Sequence, residues 1–415
     1  MAIAVRRARN GENRIGGCIK LLRNPLKAHE VRNTREAQGM LRIRRLRRWT
    51  GAIARPSVRK YQPRSLERIF LHVGVEKTGT TTLQVAMAVN RPLLHRSGYI
   101  IPPGLVGSSS YHIGLALFAA NPDAVPELRQ VARLTNGAAY SAFLESYPSQ
   151  IARELTEPSC HTAVLSNEHC SSRLGTVTEI AKVHQIVSRL ARDCRVIIYL
   201  RRQDEVVASH YSTYVRSGAI GEFKFPNDIF WLDYLHLLEM WAHIFGKENL
   251  IIRIFEPHQL KDGDLLSDFF TIIGLPQQDQ LLRPENQNRS FDVYTVEFLR
   301  RFNAHLPPCS EGGPGTTRGE IDAALAAITT HECLRPSAEM AATFLNRFAA
   351  SNAQVARRFL GREDGMLFAG APADNQTARL PTLDVDKAVA ISVALWQWQE
   401  ARLHAALRNA RAQRR

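Results

Sequence analysis

Four short apolar runs punctuate the chain, Ile69–Val73, Thr162–Leu165, Val196–Leu200 and Leu250–Phe255, and each turns abruptly polar at its carboxyl end. Continuous apolar runs of this length, closed by polar turns, predict strands buried on both faces. Helical spacing covers 178–192, 205–216 and 230–246, and Leu265–Gly274 runs to a glycine stop. Residues 384–410 read as a closing helix with Trp396 and Trp398 as packing residues. Strands alternating with helices predict βαβ units and a parallel sheet flanked by helices, an α/β fold whose C-terminal part is largely helical. The Pro- and Gly-rich segment 306–320 reads as a mobile loop, either a lid or a plain surface loop, and 370–382 as a linker.

The polar turns carry the chemistry. After the first strand comes Gly74-Val-Glu-Lys77-Thr78-Gly79-Thr80-Thr81-Thr82, followed by the helical Leu83-Gln-Val-Ala-Met-Ala-Val89. A strand, a glycine-bracketed turn and a helix together hold an anion, because turn N–H groups point inward and the helix adds its positive dipole end. A nucleoside-triphosphate P-loop places its lysine directly after the second glycine. Here the lysine precedes that glycine by two residues, and the usual pattern occurs nowhere else. The third run ends in Leu200-Arg201-Arg-Gln-Asp-Glu, with Ser209 eight residues after Arg201. An always-charged planar guanidinium and a hydroxyl suit a phosphomonoester; the competing reading is an arginine paired with Asp204 or Glu205. The second run ends in Ser166-Asn-Glu168-His169, at the strand end where open parallel sheets place ligands.

The Lys77 loop resembles the 5′-phosphosulfate loop of sulfotransferases that use 3′-phosphoadenosine 5′-phosphosulfate (PAPS), and the Arg201/Ser209 spacing resembles that family's 3′-phosphate site. Leu83-Gln, Asn90-Arg91, the Asn286–Ser290 turn and the segment Phe348–Gly361 are similar to bacterial members, so the resemblance covers residues 68–368. It implies a P-loop-type central parallel sheet. It also implies that Lys77, Thr78, Gly79, Thr80, Thr81 and Thr82 hold the donor's 5′ end, and that Arg201 and Ser209, with Arg289 as a further candidate, hold its 3′-phosphate. Glu168 matches the base of carbohydrate-type members, with His169 as the competing base and His112 as a candidate wall of the acceptor pocket. Gln203 stands where many members have proline. The implied co-substrate is PAPS, with no metal, and the implied acceptor is a carbohydrate or glycoconjugate. A nucleotide kinase or other phosphotransferase, and a non-catalytic binder acting through a basic arm, are the alternatives.

Charge bounds the rest. The 415 residues carry a net +15, which invites a nucleic-acid reading, but residues 1–68 hold nineteen Lys and Arg against four Asp and Glu, and the remainder has thirty-five of each. A neutral body with a basic tail is not the footprint of a groove-reading domain, so no specific nucleic acid is expected. The expected division is a basic, disordered arm over 1–65, a catalytic domain over 66–370, and a linker with a closing helix over 371–415. Within the arm, 39–54 is basic and amphipathic. It suits a weak contact with an anionic membrane surface, a solvated extension, or a start assigned too early. No apolar run reaches the length of a membrane span. The six cysteines form no C-x-x-C pair, so neither a zinc site nor a disulfide framework is indicated. A cytoplasmic protein, peripheral at the inner membrane surface if the arm binds there, is the resulting expectation.

Overall fold

A computed structural model describes residues 66–103, 112–228, 230–284, 290–306, 317–330, 332–369 and 378–413. The basic arm, Arg289 and most of the 306–320 segment lie outside the described residues.

Five strands form one parallel sheet: β1 (Leu66–His72), β2 (Tyr99–Ile100), β3 (Thr162–Ser166), β4 (Ala191–Leu200) and β5 (Leu250–Ile254), in the order β2-β3-β1-β4-β5. The α/β fold with a central parallel sheet is thus as the alternating pattern predicts. The principal helices are α1 (Thr80–Val89), α2 (Val177–Leu190), α3 (Gln203–Arg216), α4 (Tyr234–Phe245), α5 (Leu265–Ile272), α6 (Val293–Asn303), α7 (Thr317–Ile328) and α8 (Val385–Gln413).

The carboxyl-terminal parts of β1 and β4, and all of β3, are buried because both their faces are covered. Ile69, Leu71, Val196 and Ile198 point into a core closed by α2 and α4, with Val183, Leu238 and Trp241 fully buried. Phe70, Val164, Ile197 and Tyr199 point the other way, onto Leu83 and Met87 of α1 and Phe269 and Phe270 of α5. β1 lies in the middle of the sheet. Its final residue, His72, pairs in register with Ser166 of β3 on one side and Ile197 of β4 on the other. The turns after β1, β3 and β4 therefore emerge side by side. The chain passes from β1 to β3 on one flank and then to β4 on the opposite flank, so the direction of winding reverses next to β1. That is where doubly wound sheets open a ligand crevice.

Three local expectations need correction. Residues 191 and 192, read as the end of a helix, begin β4, because α2 stops at Leu190. Residues 317–320, read as loop, open α7: Thr317-Arg-Gly-Glu lead into an alanine-rich run of strong helix formers. Trp396, read as a packing residue, is 65% exposed. Ile391 and Leu395 instead seat α8 on α6 and α7. Among the described residues, no helix is long and apolar enough to cross a membrane.

Candidate active site

The turn after β1 is built by tertiary pairing as well as by its own sequence. Val73 and Val75 N–H groups donate to the carbonyls of Ile197 and Tyr199 at 3.0 and 3.3 Å, so the turn starts as an extension of the sheet. Gly74 is required because a Cβ there would stand 2.6 Å from His72 Nε2. Thr78 is fully buried, and its hydroxyl donates to the Val75 carbonyl at 2.6 Å, closing the turn from within. Lys77 and Gly79 both take left-handed backbone, at φ 69° and 77°. Glycine does this freely, whereas a lysine there is uncommon and marks a conformation enforced by its surroundings. A Cβ at Gly79 would also meet Leu265 at 2.4 Å. Thr80, Thr81 and Thr82 form the first turn of α1. No side chain caps that turn and no acidic residue lies in it, so its N–H groups and the helix dipole face outward unneutralised.

Lys77 reaches across to α3, where its ammonium donates to the Thr213 hydroxyl. Burial lowers its pKa, as do the nearby Arg216 and Arg201 charges, while Glu76 and Glu168 oppose the shift. Lys77 and Glu168 are therefore electrostatic neighbours. Glu168 caps the short helix His169–Arg173, and its carboxylate accepts from Gln84 Nε2 at 2.9 Å. Gln84, on α1, is fully buried, and the same amide approaches Ser166 Oγ at 3.2 Å. Ser166 Oγ in turn lies 2.8 Å from His72 Nδ1. One buried polar chain thus runs from beneath the β1 turn to Glu168. His72 Nε2 ends that chain without a partner, and burial lowers the His72 pKa to about 3.

His169 faces elsewhere. Its Nδ1 and His210 Nε2 each stand 3.6 Å from the Glu76 carboxylate, which also receives Ser172 Oγ at 2.7 Å and Arg173 Nη1 at 3.2 Å. Burial alone would push the Glu76 carboxyl up, but the two imidazoles and the guanidinium outweigh it and hold the group well below the usual carboxylate range. Glu76 therefore anchors the turn both to the short helix His169–Arg173 and to α3, the helix that also carries Thr213. His112 is buried, with Nδ1 accepting the Ser166 N–H at 2.8 Å and Nε2 lying 3.0 Å from the Pro102 carbonyl. Both ring nitrogens are committed to the backbone, so the structure gives His112 the task of fixing the end of β3 rather than presenting a polar atom to an acceptor.

Arg201 stands at the carboxyl end of β4. Its Nη1 donates to the Lys77 carbonyl at 2.9 Å, its Nε contacts Glu205 at 3.0 Å, and its guanidinium lies 5.5 Å from the centre of the Phe255 ring. The buried Tyr234 hydroxyl donates to the Arg201 carbonyl and holds the strand end in place. From Arg201 a cavity of about 470 Å³ opens between α3 and the C-terminal segments. Ser209 lines it, as do Arg202, Ser290, Arg335 and Arg379. Arg335 and Arg379 sit opposite each other, exchanging backbone N–H···O bonds of 2.8 Å in both directions. Like charges placed directly opposite repel, so this pair favours an anion in the cavity. Sequence reasoning missed Glu76, Gln84, Arg335 and Arg379. The two arginines meet only through an isolated bridge between distant segments, which no local pattern foretells.

No family model matches the chain. A stretch of 133 residues is 26% identical to an uncharacterised protein of Archaeoglobus fulgidus, and it spans 31% of this chain and 35% of that protein. The crystal structure of a sulfotransferase from Alicyclobacillus acidocaldarius aligns over 72% of this chain and 97% of its own, at 14% identity and a TM-score of 0.35. The sulfotransferase domain from the curacin biosynthetic pathway aligns over 80% and 98%, at 12% identity and a TM-score of 0.30. Likenesses of this size establish neither family nor function.

Proposed function

We propose that the protein is a sulfotransferase that moves the sulfuryl group of PAPS to a hydroxyl or amine of a carbohydrate or glycoconjugate. The observation that carries this reading is the bond from Arg201 Nη1 to the Lys77 carbonyl. It joins the anion-holding turn of β1 to the arginine-lined cavity of β4, so one adenosine nucleotide with phosphates at both its 5′ and 3′ ends suits the pair. Arg201 and Arg202 pair with Glu205 and Asp204 at the cavity wall, and a 3′-phosphate would add an anion facing the like-charged Arg335 and Arg379.

In this reading, the N–H groups of residues 78–82 and the dipole of α1 hold the 5′-phosphosulfate. Lys77 neutralises the negative charge that develops on the oxygen bridging phosphorus and sulfur as the sulfur–oxygen bond breaks and that oxygen leaves on the 5′-phosphate. Its left-handed backbone and its bond to Thr213 fix the ammonium before the donor arrives. Glu168 accepts the proton of the attacking group, and Gln84 orients the carboxylate for it. His169, drawn to Glu76, positions the turn instead of acting as the base. Arg201, Ser209, Arg335 and Arg379 grip the 3′-phosphate, far from the reacting bond, and supply binding energy that sets the sulfate in attack geometry.

Titration calorimetry with 3′-phosphoadenosine 5′-phosphate (PAP) and with ATP, each with and without magnesium, tests the reading. Metal-independent PAP binding, together with transfer of radiosulfate from PAPS to an oligosaccharide or glycolipid panel, supports it. Preference for magnesium-ATP would replace it with a phosphotransferase.

A further inference from the structure

The C-terminal helix α8 is 29 residues long, about 43 Å, and has two apolar faces. One face, with Ile391 and Leu395, packs on α6 and α7. The other presents Val385, Val389, Val393, Trp396, Leu403 and Leu407, all between 45% and 77% exposed. Single exposed apolar residues need no explanation, but a continuous stripe does. From Val389 onward the stripe advances by alternating steps of four and three residues through 393, 396, 400, 403 and 407, broken only by Glu400. That alternation is the spacing of a coiled-coil seam, which a helix of matching pitch would cover.

We propose that two copies of the chain associate through this stripe, with their α8 helices antiparallel. An antiparallel register sets Val389 of each copy against Leu407 of the other, Val393 against Leu403, and Trp396 against Glu400. The Glu400 stem then lies along the indole with its carboxylate in water. Charge selects this direction. Asp386 stands exposed at one end of the helix beside Lys387, with Asp384 capping the first turn, and Arg408 stands exposed at the other, so reversal brings the net acidic end against the basic one and aligns the two macrodipoles favourably. A parallel pair would stack like on like. The six side chains offer on the order of 600 Å² per copy, near the ~800 Å² per partner of a standard interface. The same patch serves both copies, so the association closes at two.

Sedimentation equilibrium of the full-length protein reads this out. A dimer in the micromolar range is expected, with Trp396→Glu/Leu403→Glu shifting it to monomer while far-ultraviolet circular dichroism and PAP binding stay unchanged. Arg408→Glu weakens the dimer several-fold, and adding Asp386→Arg restores it. A monomer at all concentrations overturns the proposal. So does a dimer indifferent to Trp396→Glu/Leu403→Glu, or a monomer that uses the stripe to co-sediment with phosphatidylglycerol vesicles. Loss of the reversal-and-rescue pattern overturns the antiparallel arrangement.

Discussion

Acidification probes the packing beneath the β1 turn through His72. Its ring is fully buried, edge-on to Tyr199 and Phe269 with centroids at 5.8 and 5.5 Å, and its Nε2 abuts Gly74. The unfolded chain binds the imidazole proton at the ordinary 6.5, whereas the folded protein binds it only near 3. Unfolding therefore takes up a proton below about pH 6.5, and stability falls as the pH drops from there toward 3. Integrated over that window, this one group removes about 2 kcal/mol between pH 8 and pH 5, and about 3 kcal/mol by pH 4. The replacement His72→Asn keeps a polar atom for Ser166 and cannot titrate. It loses the ring contacts and is less stable than wild type by roughly 1–3 kcal/mol at every pH. The diagnostic is therefore the slope rather than the offset. Urea unfolding at pH 8, 6.5 and 5 should show the variant losing about 2 kcal/mol less than wild type over that range. Parallel pH dependences would refute the claim that a neutral imidazole is locked under the turn.

Other outcomes follow from the site. Lys77→Ala should lower kcat by about two orders of magnitude or more while PAP affinity changes little, since the ammonium acts on charge that develops in transfer; single-turnover radiosulfate transfer checks this. Arg335→Gln/Arg379→Gln should raise the Tm of the ligand-free protein by removing a like-charge pair, and should weaken PAP binding roughly tenfold or more. Scanning calorimetry and titration calorimetry read the two effects separately. Gly79→Ala forces a left-handed alanine against Leu265 and should cost about 1–3 kcal/mol of stability by urea unfolding, with PAP binding weakened alongside.

The strands were legible because four of them carry short, mostly apolar runs, interrupted only by His72 and Arg253; β1, β3 and β4 bury theirs on both faces, while β5 at the sheet edge is half-buried. β2, only two residues long, left no pattern to read. The candidate residues that the sequence offered follow from strand ends: Lys77, Glu168 and Arg201 lie in the turns after β1, β3 and β4, Ser209 lies two turns into α3, and the register of β1 with its neighbours brings those strand ends together. What stayed hidden depends on contacts between distant segments. Glu76 reads as a solvated loop acid until His169, His210 and Arg173 converge on it, and Gln84 reads as one polar residue on an apolar helix until Glu168 arrives. α8 shows a further limit. Its periodicity marks two apolar stripes but cannot say which one the body covers, and that is why Trp396, read as packed, emerges exposed.

Two cradles gripping one nucleotide are the central claim, and a crystal structure with bound PAP tests it most directly. The 5′-phosphate is predicted on the N–H groups of residues 78–82 beside Lys77, with the 3′-phosphate on Arg201 and Ser209. A nucleotide held at one end only, or seated away from both turns, would contradict it.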